Sequence, residues 1–220
     1  MQNMQASSSK VHSSQAGVHP GLPALVKRHA SSSWRKPAQQ VDLPALDLLD
    51  KALDKHRGPV VLDSFCGTGQ STAILAARYD NALVIGVDKS SHRLDRRHAA
   101  PDNSLFLRAH CEAIWRHLVA REQKLLAHYL LYPNPWPKPG HLSRRVHGHP
   151  AFPLILALGG YVELRSNWQV YVEECGVALH LLGQPSRIAV VPGDQEALTL
   201  FEHKYRESGH QLWSVTATLP

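Results

Sequence analysis

Residues 60–69, Val-Val-Leu-Asp-Ser-Phe-Cys-Gly-Thr-Gly, decide how this chain folds. Three apolar β-formers, Val60 to Leu62, run into a carboxylate at Asp63, and a turn containing Gly67 and Gly69 leads into a helical run. A buried parallel strand that feeds a turn and a helix has this pattern. Glycines in such a turn let the backbone approach a ligand closely. The stretch therefore predicts the first strand, loop and helix of a ligand-binding α/β unit.

A second apolar run, residues 82–87, ends in another carboxylate, Asp88. In nucleotide-binding βαβ units, an acid at this place accepts hydrogen bonds from ribose hydroxyls. The G-x-G-x-x-G fingerprint of dinucleotide sites is absent, because residues 70–72 supply no third glycine. The pattern therefore counts against NAD and leaves room for an adenosyl ligand. It resembles the first two motifs of Rossmann-like S-adenosylmethionine methyltransferases.

Helix-like and strand-like patterns alternate along most of the chain. Helices are predicted over 43–56, 70–79, 92–98, 111–124, 152–158 and 169–182, and strands over 60–63, 82–87, 104–108, 129–132, 161–166, 188–191 and 212–218. This alternation predicts an α/β fold with a mostly parallel central sheet and helices on both faces. We therefore predict one Rossmann-like domain over residues 41–220. Residues 1–40 form a basic tail rich in Ser, Gln and His, which we expect to be disordered.

Composition narrows the class of protein. Of the 220 residues, 43% are hydrophobic, which is enough for a sizeable core, and no apolar run approaches the ~18 residues of a membrane span. The net charge of +6 favours a polyanionic partner. Three widely spaced cysteines indicate reduced thiols and a cytoplasmic protein. His147 and His149 have no Cys or carboxylate at a familiar metal spacing, so no metal site is predicted.

Polar residues follow the ends of five predicted strands. They are Asp63, Asp88, Cys111-Glu112, the segment Pro133–Lys138, and Ser166-Asn167-Trp168. Ligands in open α/β sheets bind outside the carboxyl ends of the strands. These five strand ends therefore predict one rim of polar groups around a binding site.

The segment after the fourth strand carries the most specific pattern. Residues 133–150 read Pro-Asn-Pro-Trp-Pro-Lys-Pro-Gly-His-Leu-Ser-Arg-Arg-Val-His-Gly-His-Pro, and no acid occurs between Glu122 and Glu163. Lys138, Arg144 and Arg145 therefore have no acidic partner nearby in the sequence. Such cations beside a binding site suit a phosphate backbone, and Trp136 could stack on a base.

This segment resembles the P-D-P-W-x-K-x-x-H-x-K-R-R signature of the tRNA (guanine-N7)-methyltransferases. Residues 165–173, Arg-Ser-Asn-Trp-Gln-Val-Tyr-Val-Glu, are similar to that family's A-T-D-W-x-x-Y-x-E, and residues 198–213 to its T-x-F/Y-E…G-H-x-x-W ending. The matches keep their order and spacing from about residue 34 to residue 213. The resemblance implies an enzyme that transfers a methyl group from S-adenosyl-L-methionine to guanine N7 in tRNA.

The resemblance also implies roles for individual residues. Asn134 stands where the family has its catalytic Asp. The implied cofactor-binding residues are Asp63, Cys66, Gly67, Gly69, Asp88, Glu112 and Asn134. The implied contacts to the target guanosine and the RNA are Lys138, His141, Arg144, Arg145, Asn167, Thr199, Phe201 and Glu202. The partner would be tRNA, with no membrane and no obligate protein partner, and the enzyme would be a monomer or homodimer.

Several positions depart from the family pattern. Phe65 replaces the first Gly of the loop, Asn134 and Asn167 replace carboxylates, and Ser143 replaces a cation. Two alternatives therefore stay open. The Asn-Pro-Trp-Pro run of residues 134–137 partly resembles the N-P-P-[YFW] motif of methyltransferases that act on exocyclic amines. The second alternative is a degenerate relative that binds RNA or cofactor without catalysis.

Overall fold

The computed structural model describes residues 8–220. The strands in this range are β1 (Val60–Ser64), β2 (Leu83–Asp88), β3 (Ser104–Arg108), β4 (Ala127–Leu131), β5 (Gly160–Ser166), β6 (Ser186–Val190) and β7 (Trp213–Leu219). The helices are α1 (Leu22–Ala30), α2 (Leu43–Lys55), α3 (Gln70–Arg78), α4 (Ser91–Leu94), α5 (Cys111–Ala120), α6 (Phe152–Leu158), α7 (Gln169–Leu181) and α8 (Leu200–Glu207), with 3-10 helices at Pro139–Arg144 and Val146–Gly148. The predicted alternation of helices and strands is confirmed.

The strands form one seven-stranded sheet in the order β3-β2-β1-β4-β5-β7-β6. The first five strands run parallel, and β7 is antiparallel to both β5 and β6. This arrangement confirms the predicted mostly parallel sheet. The chain proceeds outward from β1 in one direction and then from β4 in the other, so the order reverses between these two strands. A crevice at such a reversal is where open α/β sheets bind ligands.

Two glycines let α3 lie close to the sheet. A Cβ at Gly86 in β2 would overlap Thr72 Oγ1 of α3 and approach Cys66 Sγ to 3.2 Å. Gly69, at the start of α3, has φ +72°, and a Cβ there would overlap the ring of Phe106. The loop after β1 therefore requires glycine for packing as well as for backbone conformation.

The segment before β1 differs from its prediction. Residues 22–30 form α1, whose Leu22 and Val26 are buried against the rest of the protein. The prediction of disorder over residues 1–40 is wrong for this helix, because a few apolar residues at helical spacing suffice to bury one face. Residues 1–7 of that prediction lie outside the described residues.

Among the helices of residues 8–220, none combines the length and the apolar character that crossing a bilayer requires.

Candidate functional site

A cleft of about 990 Å³ opens at the carboxyl ends of β1 to β4, where the order of the strands reverses. We call the part lined by residues 65–71, 88–96 and 109–115 the β2 half, and the part lined by residues 131–144 and 199–205 the β4 half. The predicted site residues that line the cleft are Cys66, Gly67, Asp88, Glu112, Asn134, Arg144, Thr199 and Phe201. Those outside its lining are Asp63, Gly69, Lys138, His141, Arg145, Asn167 and Glu202.

Asp88 is the central polar group of the β2 half. The residue is 3% exposed, and its Oδ1 accepts the backbone N–H of Ser90 at 2.8 Å. Its Oδ2 accepts the Gly67 N–H at 3.0 Å and faces the Arg93 guanidinium at 3.3 Å. Gly67 has φ +60°, and no atom lies within 4 Å of the place where its Cβ would be. An acceptor is thus held beside a loop that opens onto free space, as a ribose site requires.

Asp63, in contrast, lies behind the cleft wall. It is fully buried, and its Oδ2 accepts the hydroxyls of Ser71 and Thr72, both at 2.6 Å. Its Oδ1 has no hydrogen-bond partner within residues 8–220. Burial raises the pKa of Asp63 to about 6. The prediction that Asp63 binds the cofactor is corrected, because α3 covers the end of β1 and separates Asp63 from the cleft. Its side chain instead binds the start of α3 and so links that helix to β1.

Glu112 and Cys66 both line the β2 half. Glu112 lies in the first turn of α5 and also lines a smaller neighbouring cavity of about 150 Å³. Burial raises the pKa of the Cys66 thiol well above its usual range, so the thiol stays protonated and is a poor nucleophile. No three His, Cys, Asp or Glu side chains within the described part of the chain converge to hold a metal ion.

A buried chain of hydrogen bonds fixes the back of the β2 half. The indole N–H of Trp115 donates to Ser64 Oγ at 2.9 Å, and this oxygen lies 2.8 Å from His128 Nε2. Burial lowers the pKa of His128 to about 3, so the ring is neutral. Because Ser64 and His128 are fully buried, this Ser–His pair orients Trp115 and is not a nucleophile.

Three aromatic residues of the cleft have a left-handed backbone. Phe65, Tyr132 and Trp136 have φ values of +65°, +52° and +46°, and all three line the cleft. A bulky residue held in this conformation costs about 1–3 kcal/mol, and such strain is concentrated at functional sites. Phe65 therefore has a backbone conformation that favours glycine, at a position where the family pattern has glycine.

The β4 half presents Asn134 and Trp136 to the cleft. Asn134 is exposed, and its Oδ1 accepts the backbone N–H of Trp136 at 3.3 Å. The Trp136 ring has the Arg144 guanidinium 4.9 Å from its centroid and the His141 ring edge-on at 5.5 Å. Lys138 is exposed outside the cleft lining. The amide of Asn134 and the indole of Trp136 are therefore placed together for contact with a planar base.

Arg145 is placed very differently from its neighbour Arg144. It is fully buried, its guanidinium lies 2.5 Å from Glu174 Oε2, and it donates to the Trp136 carbonyl at 3.2 Å. Glu174 Oε2 also lies 2.8 Å from His147 Nε2. The predicted contact of Arg145 with RNA is wrong, because Arg145 is buried in an ion pair with Glu174 of α7. This acidic partner lies far along the chain from the loop.

Glu174 joins this pair to the segment before α1. Its Oε1 accepts the side-chain amide of Gln15 at 2.6 Å and the backbone N–H of His19 at 3.0 Å. Burial alone raises the pKa of Glu174, but its bonds to His147 and Arg145 outweigh burial and hold the pKa at about 2. The carboxylate is therefore charged and fixes the loop that carries Trp136.

Glu202 and Asn167 also lie outside the cleft lining. Glu202 is fully buried and accepts from the Arg165 guanidinium at 3.0 and 3.2 Å. Asn167 Nδ2 lies 3.3 Å from His210 Nδ1. The prediction that Glu202 closes the target pocket directly is corrected: Glu202 supports α8, and Thr199 and Phe201 of the same turn reach the cleft.

Some residues that line the cleft were not predicted from the sequence as site residues. They are Tyr132, Lys204 and Tyr205 in the β4 half and Lys89, Arg93 and Arg96 in the β2 half. Two signals could have found them. Thr199 and Glu202 have the spacing of a capping box, and the Thr199 hydroxyl indeed accepts the Glu202 N–H at 2.9 Å, which starts α8. Residues 89–97 form a basic run directly after the Asp88 carboxylate.

Comparison with known proteins gives one family and several relatives. The family described as "Putative methyltransferase", Methyltransf_4, matches residues 57–215. A tRNA (guanine-N(7)-)-methyltransferase of Yersinia pseudotuberculosis is 27% identical over 196 residues, which cover 84% of this chain and 81% of the relative.

Solved structures give the fold. The 16S rRNA methyltransferase KamB has a TM-score of 0.60 at 19% identity, covering 79% of this chain and 93% of KamB. A variant 16S rRNA (adenine(1408)-N(1))-methyltransferase of Catenulisporales acidiphilia, solved with its cosubstrate S-adenosylmethionine, has a TM-score of 0.54 at 18% identity, covering 79% and 91%. At these identities the likeness concerns the fold alone, and it confirms the predicted Rossmann-like class I fold.

Proposed function

This chain belongs to the methyltransferase family that matches residues 57–215, and we propose that it transfers a methyl group from S-adenosyl-L-methionine to N7 of a guanine in tRNA. The predicted resemblance to tRNA guanine-N7 methyltransferases is confirmed by the family match and by the relative from Yersinia pseudotuberculosis. One observation carries the proposal. A single cleft holds the Asp88 carboxylate in one half and Asn134 with Trp136 in the other.

The β2 half suits the adenosyl part of the cofactor. Asp88 offers carboxylate oxygens for ribose hydroxyls, and Gly67 leaves room for a ligand because nothing lies where its side chain would be. Glu112 lines the same wall and offers an acceptor for the base. When bound, S-adenosylmethionine supplies a methyl group on a sulfonium, which a nucleophilic nitrogen can accept.

The β4 half suits a guanine. The N7 atom of guanine has an available lone pair, so methyl transfer to it requires no prior deprotonation. Catalysis can then depend on positioning and electrostatics without a general base. Asn134 can orient the base through its amide, while an Asp would add a negative charge that stabilises the cationic product. Trp136 and Phe201 offer aromatic surfaces for stacking.

The net charge of the chain and its similarity to a tRNA methyltransferase both favour tRNA as the substrate. The chain carries a net charge of +6, and the exposed Arg144 and Lys138 lie at and beside the cleft. Such cations suit the phosphates of an RNA backbone. A tRNA substrate would place the enzyme in the cytoplasm, with no membrane as a partner.

Nucleoside mass spectrometry tests the proposal directly. The protein is incubated with unmodified tRNA and methyl-labelled S-adenosylmethionine, and the RNA is digested to nucleosides. We expect labelled 7-methylguanosine, and its loss in an Asp88→Ala variant. A label on an exocyclic amine would replace the proposal with amine methylation. The absence of labelled nucleoside across a full tRNA pool would point to a non-catalytic relative.

A further inference from the structure

The segment after β2 presents a basic surface at the edge of the cleft. Lys89, Arg93 and Arg96 all line the β2 half, and all three are exposed. Arg93 lies in helix α4, and Lys89 and Arg96 flank that helix, which is anchored because Leu94 is buried and the Ser90 hydroxyl accepts the Arg93 N–H at its start. These cations are therefore part of the wall of the cleft and belong to a positioned element.

The charge on this wall exceeds what nearby carboxylates can balance. The cations that line the whole cleft are Lys89, Arg93, Arg96, Arg144 and Lys204, and its carboxylates are Asp88 and Glu112. Arg93 pairs with Asp88 at 3.3 Å. Within residues 8–220, Lys89 and Arg96 have no carboxylate oxygen within 4.0 Å. The adenosyl part of S-adenosylmethionine, which the β2 half suits, has no anionic group that could pair with these two cations.

We propose that Lys89 and Arg96, with Arg93 between them, form a second phosphate-binding surface for RNA across the cleft from Arg144. This inference rests on the proposed function and identifies a contact of the same site. A nucleotide whose base enters the cleft has a phosphate on each side of its sugar. Enzymes that modify a base take it out of the stack at a cost in unstacking energy, and phosphate contacts on both sides of the nucleotide would offset that cost. Cations on both edges of the cleft meet that requirement, and Arg144 and Lys204 supply only the β4 edge.

The role of Arg93 is distinct from that of its neighbours. Its contact with Asp88 places it next to the proposed ribose acceptor, so its removal would disturb cofactor binding as well. Lys89 and Arg96 make no such contact with Asp88, which makes them the informative positions for a test.

The test uses a Lys89→Ala/Arg96→Ala double variant of the full chain. The affinity for unmodified tRNA is measured at several salt concentrations, and that for S-adenosylhomocysteine by calorimetry. We expect the slope of log K against log salt to fall by about 1.4–1.8, since each of the two phosphate contacts contributes about 0.7–0.9. The affinity for S-adenosylhomocysteine should not change. A Lys55→Ala/Arg57→Ala variant removes equal charge just before β1, at the end of the strands opposite to the cleft, and should keep nearly the wild-type slope.

Three results would overturn this inference. They are a wild-type slope in the Lys89/Arg96 variant, an equal loss of slope in the Lys55/Arg57 variant, and a loss confined to S-adenosylhomocysteine binding. The last result would assign the two cations to the cofactor. Failure of the proposed function looks different, because the wild-type protein would then form no labelled 7-methylguanosine in tRNA, whatever the salt slopes of the variants.

Discussion

The two halves of the cleft rest on buried carboxylates that are held in opposite ways. Asp63, behind the β2 half, accepts two hydroxyl groups, and burial raises its pKa to about 6. Glu174, which holds the loop of the β4 half, is bonded to Arg145 and His147, and its pKa is about 2. The first carboxylate is a source of instability at neutral pH, and the second is a source of stability.

The two halves also differ in how far apart their partners lie in the sequence. Asp63 bonds to residues 8 and 9 positions later. Glu174 bonds to Arg145, 29 positions earlier, and to Gln15, 159 positions earlier. The contacts of Asp63 thus lie within one sequence motif, whereas the contacts of Glu174 join distant segments. Changes to the distant partners should therefore loosen the β4 half and leave the β2 half intact.

The largest effect is expected from Glu174→Ala. Removal of one partner of a buried ion pair leaves the Arg145 charge uncompensated and costs about 3–5 kcal/mol of the free energy of unfolding. Denaturant unfolding at pH 7 measures this loss. Glu173→Ala, on the same helix, is the control and should cost much less, because within residues 8–220 the Glu173 carboxylate makes one side-chain hydrogen bond, an exposed one with Gln169. A loss below 1 kcal/mol for Glu174→Ala would contradict the assignment.

The pH dependence of stability should differ in sign between the two carboxylates. The pKa of Asp63 is higher in the folded protein than in the unfolded chain, so its contribution is lost as pH rises from about 4 to 6. Its shift corresponds to about 3 kcal/mol. Asp63→Asn keeps an oxygen for the Ser71 and Thr72 hydroxyls and should gain that amount over wild type between pH 4 and pH 7.

Glu174 provides the opposite case. Its pKa is lowered in the folded protein, so its contribution is present above the unfolded pKa and is lost as pH falls from about 4.5 towards 2. Unfolding curves at several pH values test both signs. Parallel profiles for wild type and Asp63→Asn would contradict the account of Asp63.

Asp88→Ala should act on the β2 half alone. Loss of a charged acceptor for ribose hydroxyls should weaken S-adenosylmethionine binding by about 1.5–3 kcal/mol. Calorimetric titration measures the dissociation constant, and Asp95→Ala, an exposed acid next to α4, is the control. An unchanged constant for Asp88→Ala would remove Asp88 from the cofactor site.

Arg144 and Arg145 form a matched pair of adjacent cations for the β4 half. Arg144→Ala should lower the salt slope of tRNA affinity by about one and leave the free energy of unfolding unchanged, because Arg144 is exposed. Arg145→Ala should instead destabilise the fold, because Arg145 is fully buried against Glu174. The division of roles fails if Arg144→Ala binds tRNA with the wild-type slope.

Local sequence predicted the fold and much of the β2 half. The strand-to-carboxylate pattern predicted both β1 and β2, and Asp88, Gly67 and Glu112 do line the cleft. Asp63 has the same pattern as Asp88 but lies behind α3. The sequence alone does not show which of two strand-end carboxylates faces the cleft, because the covering helix decides this.

The roles of charged residues in the β4 half could not be predicted in the same way. Arg145 had no acid near it in the sequence, yet Glu174 neutralises it across 29 residues. Glu202 lies in a motif that suggested a substrate contact, yet Arg165 binds it from 37 positions earlier. Long-range pairing between buried groups depends on how the elements pack, and the identity of neighbouring residues does not reveal it.

The central claim is that Asn134 faces a guanine whose N7 accepts the methyl group, and Asn134→Asp tests it most directly. A carboxylate there would stabilise the cationic product, so single-turnover methylation of one tRNA transcript should stay at the wild-type rate or rise. A tenfold rise would correspond to roughly 1.4 kcal/mol of transition-state stabilisation. An unchanged dissociation constant for S-adenosylhomocysteine is the control. A large loss of rate in Asn134→Asp would contradict guanine N7 as the target.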